Sequence, residues 1–143
     1  MECFSGKCKI GFEIRKQSIN RKMISQIFSE IEGRLFISVD GVIIFDEEDI
    51  LLAEFYSQLY SWMYRECREE MFQYDSMDYE ESPIIEVVIH GEKKALLSSP
   101  WGVETVKFPV EVGKIDFIKA AKVFLNDFEH EIPGINLLSY NME

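Results

Sequence analysis

The chain has 143 residues, and its 15 Lys and Arg against 26 Asp and Glu leave a net charge of −11. A chain of this length forms one domain that buries roughly two-thirds of the surface exposed when unfolded, and 47% hydrophobic residues with four prolines exclude disorder. So acidic a protein repels phosphate backbones and anionic headgroups, which excludes general nucleic-acid or membrane-surface binding.

Ile10, Phe12 and Ile14 alternate with Gly11, Glu13 and Arg15, the period of a half-buried strand. Residues 17–26 fit neither period cleanly, since Ile19, Met23 and Ile27 recur like a short helix. From Ile27 the odd positions Ile31, Leu35, Ile37 and Val39 are apolar, predicting a strand to Val39 with a bulge or bend at Gly33. Asp40-Gly41 then predicts a two-residue hairpin turn, because both of its central positions need positive φ. Val42 to Phe45 is the return strand.

After Asp46-Glu47-Glu48-Asp49, the residues Leu52, Phe55, Tyr56, Leu59, Trp62 and Met63 form a helical stripe. The four acids are read as helix-start residues facing the positive end of the dipole, with Arg65 and Arg68 at the other end. A helix over 50–71 would be about 33 Å long. Residues 72–82 have neither period and read as an ordered loop. Residues 83–89 and 93–98 predict a hairpin around His90-Gly91-Glu92, and 106–112 a further strand, placed at an edge or bulge by Pro109. Asp116 is positioned to cap a last helix bearing Phe117, Ala120, Ala121, Phe124 and Phe128, ended by Pro133-Gly134. The expected fold is α+β: a mainly antiparallel sheet of five to six strands packed with one long central helix and a C-terminal helix.

Chemistry is sparse. Cys3, Cys8 and Cys67 are odd in number and lack metal-ligand spacing, reading as reduced thiols in a cytoplasmic protein. No apolar run approaches the roughly 20 residues of a membrane span, and Met1 to Phe12 lacks a signal-peptide core. His90 falls at a hairpin tip and His130 near a helix end, both read as surface residues. Gly6-x-x-x-x-Gly11 begins like a P-loop but continues Phe12-Glu13 instead of Lys-Ser/Thr, and Ser98-Ser99 lacks a nucleophile elbow. Asp75, Asp78, Glu80 and Glu81 do not fit an EF-hand, whose sixth position must be glycine. No cofactor or metal is expected. The one enzymatic alternative is a Mg²⁺-dependent nuclease using Asp78 and the Glu92-Lys93-Lys94 triplet.

What remains is the surface. Residues 1–40 and 87–143 are nearly neutral, so the charge sits between Gly41 and Glu86, where thirteen acids face only Arg65 and Arg68. Interleaved with aromatic residues, these acids suit a protein that steers and grips a basic protein partner. The candidate partner-binding residues are Asp46, Glu47, Glu48, Asp75, Asp78, Tyr79, Glu80, Glu81 and Trp101. A homo-oligomeric module built on the edge near Pro109 is a third reading.

The succession L-F-I-S-V-D-G-V-I-I-F (Leu35 to Phe45), L-x-x-F-Y-x-x-L-x-x-W (Leu52 to Trp62), F-x-Y-D-S-M-D-Y-E-E (Phe72 to Glu81) and S-S-P-W (Ser98 to Trp101) resembles a small bacterial family of uncharacterised α+β domains. It is similar in size, charge and architecture to immunity proteins of polymorphic toxin systems. The resemblance implies neutralisation of a basic nuclease toxin by an occluding acidic surface, and carries over no individual functional residue.

Overall fold

A computed structural model describes residues 7–17, 31–65, 70–76, 79–80 and 83–135. Asp40 and Gly41 have φ of 52° and 83°, as a type I′ turn requires, and join strand β2 (Ile31–Val39) to β3 (Val42–Leu51). Strand β1 (Cys8–Gln17) pairs antiparallel with β2, giving a three-stranded sheet ordered β1-β2-β3. The odd positions of β2 are buried and the even ones half-buried, as the alternation predicts. The ambiguous stretch beyond Gln17 and the expected strand start before Ile31 lie outside the described residues.

Gly33 sits at a register shift against both neighbours, one between Ile14 and Lys16 and one between Gly33 and Leu35. A Cβ on Gly33 would fall on the Glu13 carbonyl oxygen, with the Arg15 amide nitrogen 3.0 Å away. The glycine therefore permits a close backbone crossing inside the sheet.

The central helix, α1 (Leu52–Tyr64), has 13 residues and spans about 20 Å, shorter than expected. Its apolar stripe is buried as predicted, but the acids 46–49 belong to β3 and Glu54 is the acid of its first turn. Arg65 closes the helix by donating its backbone N–H to the Ser61 carbonyl at 2.8 Å; Arg68 lies outside the described residues.

The expected loop at 72–82 begins with a strand, β4 (Met71–Tyr74), whose alternation is buried at Phe72 and Tyr74. β4 pairs with β5 (Ile85–His90), β5 with β6 (Lys94–Ser98) and β6 with β7 (Val110–Gly113), all antiparallel. The described residues thus form two sheets, of three and four strands, where one sheet of five to six was expected. The strand expected over 106–112 shortens to β7, an edge strand, and Pro109 precedes it after a cis peptide bond. Helix α2 (Lys114–Glu131) is capped by Gly113; Asp116, expected as the cap, lies in the first turn.

The two helices among the described residues each contact both sheets: α1 packs on β2, β3 and β4, and α2 on β1, β6 and β7. A run of edge-to-face aromatic contacts crosses the core. Phe12 of β1 meets Phe124 of α2 at 5.4 Å, Phe124 meets Phe55 of α1 at 5.1 Å, and Phe55 meets Tyr74 of β4 at 5.2 Å.

Candidate functional site

The aromatic anchors singled out from sequence meet in space. Tyr79 and Trp101 lie in separate loops, yet their half-buried rings are 4.7 Å apart and perpendicular. The Tyr79 hydroxyl donates to the backbone carbonyl of Asp49 at 3.0 Å, tying this pair to the acidic end of β3. Asp49 has φ of 60°, a conformation that Asp tolerates better than most residues. Trp101 is held by a relay in which its backbone N–H donates to Ser99 Oγ at 3.0 Å and that hydroxyl donates to the Ile84 carbonyl at 2.6 Å. The following loop is fixed to β3 by the Val103 amide, which donates to the Ile44 carbonyl at 2.9 Å. Asp49, Glu80 and Glu104, all exposed, extend from these same segments. Asp75 is positioned by α1: the Gln58 side chain donates to its carbonyl at 2.7 Å and accepts from its amide at 3.0 Å.

The acids of β3 behave differently from one another. Asp46 is opposite Phe36 and Glu47 opposite Leu35, so the two point to opposite sides of the sheet. Asp46 accepts two hydrogen bonds from Arg34, at 2.8 and 2.9 Å, and Glu48 two from Arg15, at 3.1 and 3.2 Å. Glu13 joins both arginines, at 2.9 Å from Arg15 and 3.1 Å from Arg34, and the Arg34 guanidinium lies 4.4 Å from the Phe36 ring centroid. Three carboxylates and two guanidiniums therefore form one network on the outer side of the sheet. Asp46 and Glu48, expected from sequence as partner-binding residues with Glu47, are paired within this network while staying at the surface, because β1 and β2 bring the bases that the local sequence lacks.

The hydrogen bonds from Arg34 hold the Asp46 carboxyl below its usual range, and Arg15 does the same for Glu48, while desolvation followed by the nearby Asp46 charge raises Glu47. For Asp46 the folded value is the lower one, so its contribution to stability is present above the unfolded pKa and lost as pH falls through the folded one. In Arg34→Gln the Asp46 carboxyl is expected to titrate back in the ordinary range, as followed by carboxyl carbon NMR; an unchanged titration would refute the assignment.

Two buried polar links were not foreseen. The Tyr74 hydroxyl donates to Glu54 Oε1 at 2.9 Å, with Glu54 only 7% exposed, and the Tyr56 hydroxyl donates to Glu129 at 2.6 Å. Burial is the leading cause that raises both phenols. Each joins elements distant in sequence, so no local pattern announces it.

The other candidates do not converge. Among the described residues no three His, Cys, Asp or Glu side chains are grouped to hold a metal. Burial pushes the Cys8 thiol up to about 12, with Asp116 adding to the effect, so it is a poor nucleophile. Gly11 sits within β1 beneath the Phe36 ring and not in a phosphate-binding loop. His90 ends β5, Glu92 occupies the exposed turn after it, and Lys94 lies 3.6 Å from Glu111 across the sheet. Asp78, Glu81 and Cys67 lie outside the described residues. No helix among the described residues is long and apolar enough to cross a membrane.

The described residues form an α+β arrangement of two antiparallel sheets and two helices, carrying an aromatic pair at the acidic end of β3. Residues 9–134 match the domain of unknown function DUF7878, and the chain belongs to that family. Comparison with curated proteins and with solved structures gave no match.

Proposed function

We propose that the protein is a non-enzymatic protein-binding domain whose Tyr79–Trp101 pair and surrounding carboxylates engage a basic partner. Its resemblance to immunity proteins of polymorphic toxin systems makes that partner a basic toxin domain, neutralised by occlusion in the cytoplasm. The observation that carries the reading is the perpendicular contact between Tyr79 and Trp101, with Tyr79 hydrogen-bonded to the Asp49 backbone. Rigid aromatic side chains ringed by charge are the usual centres of binding energy, and the charges set the encounter rate. Asp49, Asp75, Glu80 and Glu104 supply that charge, alongside Asp46, Glu47 and Glu48 of the set expected from sequence.

The test is recovery of the basic protein that the full chain binds in its native host, followed by surface plasmon resonance on the purified pair; failure to recover a basic partner would count against the proposal. Trp101→Ala is expected to weaken binding by about 2 kcal/mol, the scale of an anchor residue. The exposed pair Asp49→Asn and Glu80→Gln should lower the association rate and flatten its salt dependence, with little change in dissociation. Affinities that survive all three substitutions would overturn the proposal.

A further inference from the structure

Among the described residues, β1 has a strand neighbour on one side only. One hydrogen bond identifies the backbone groups on its other side: the Asp40 amide donates to the Lys7 carbonyl at 2.7 Å. Antiparallel pairs alternate between those that exchange hydrogen bonds and those that do not. In this register Lys7, Lys9 and Gly11 turn their peptide groups toward β2, so Cys8, Ile10 and Phe12 turn theirs outward. Helix α2 runs beside this edge in the same direction. One hollow joins Lys7 and Lys9 to Asp116 and Lys119, the next joins Ile10 and Phe12 to Ala120, Val123 and Asp127, and a third joins Phe12 and Ile14 to Asp127 and His130. The middle hollow encloses about 320 Å³, and Val123, level with Ile10 along it, is 56% exposed.

We propose that this edge is the interface of a homodimer in which β1 pairs antiparallel with β1 of a second copy, Ile10 opposite Ile10, while the two α2 helices meet at Val123. The occupant is a second copy because the surface is complementary to itself. A twofold axis through Ile10 and Val123 sets Lys7 against Glu13 of the other chain, Lys119 against Asp127, and Asp116 against His130, each twice. Isologous association demands such self-matching, and an edge strand with outward peptide groups supplies the backbone pairing. The same axis puts Cys8 beside Phe12 of the second copy, so the outward peptide groups also fall in matching register. In a chain of charge −11, the three hollows along this edge carry Lys7, Lys9 and Lys119 against Glu13, Asp116, Asp127 and Glu131, an excess of one acid, so two copies approach without strong repulsion. The two three-stranded sheets become one of six strands, and the edge is covered.

Sedimentation equilibrium on the full chain tests this. The wild type is expected at twice its 16.8 kDa, and Lys119→Asp is expected to weaken the dimer about tenfold or more by facing Asp127 with a like charge. Lys119→Asp/Asp127→Lys reverses both ends of each pair and is expected to restore the dimer. Both sites are exposed, and circular dichroism checks that each variant is folded. A wild-type monomer at about 100 μM, a concentration at which even a micromolar interface is populated, or a Lys119→Asp variant as dimeric as wild type, would overturn the proposal. Loss of association in the double variant would do the same.

Discussion

Phe124→Ala is expected to lower the unfolding free energy by about 4 kcal/mol, the middle of the range for removing a buried phenylalanine. The residue is fully buried and touches Phe12, Phe55 and Phe128 at centroid distances of 5.4, 5.1 and 5.8 Å. Through Phe12 it reaches the three-stranded sheet, and through Phe55 it reaches Phe72 and Tyr74 of the four-stranded one. Its ring is thus one of the points at which α2 connects both sheets, and the cavity left by alanine borders several elements at once. Globular domains hold about 5–15 kcal/mol in total, so this loss is a large part of the stability. The midpoint of thermal unfolding should fall by roughly 10–15 °C. Lys122→Ala, on the exposed side of the same helix, should stay within about 0.5 kcal/mol of wild type. A Phe124→Ala loss below about 1 kcal/mol would mean that the two sheets are joined through other contacts.

Local patterns made some of this architecture legible. Asp40-Gly41 carries its turn type in two residues, and β2 reads directly as a strand because every second residue is buried. The stripe of α1 and the aromatic side of α2 were equally readable, since a helix buries one face at its own period. The failures share one cause, dependence on partners distant in sequence. Asp46 to Asp49 satisfy the local rule for a helix start, yet they extend β3, where Arg34 and Arg15 from neighbouring strands compensate Asp46 and Glu48. Met71 to Tyr74 alternate over only four residues, too few to stand out beside the acids that follow, and β5 alone makes them a strand. The division into two sheets was invisible because alternation states that a strand is half-buried and not which strand lies beside it. For the candidate site, Tyr79 and Trp101 could be singled out from sequence, whereas their contact and its link to Asp49 arise only from folding.

The largest effect from a single added methyl group is expected at Gly33. Alanine in place of a strand glycine normally stabilises by roughly 0.5–1 kcal/mol, through lower chain entropy. At Gly33 the sign should reverse, with a loss of about 3 kcal/mol, the upper end of the cost of overpacking. The added Cβ would strike the Glu13 carbonyl oxygen and press on the Arg15 amide 3.0 Å away, and both atoms are backbone of the adjoining strand. Relief would require β1 to move away from β2 at this register shift, disturbing the hydrogen bonds on either side. Gly11 provides the contrast. A Cβ there would also meet an obstacle, but it is the ring of Phe36, a half-buried side chain on the outer side of the sheet. That ring can rotate away, giving up its contacts with Arg34 at 4.4 Å and Lys9 at 5.6 Å, interactions worth about 0.5–1 kcal/mol each at exposed sites. Gly11→Ala should therefore cost about 1 kcal/mol or less once the entropic gain is included. Urea denaturation of the two variants beside wild type separates the outcomes. Equal losses, or a Gly33→Ala protein as stable as wild type, would show that the crossing of β1 over Gly33 can open at little cost.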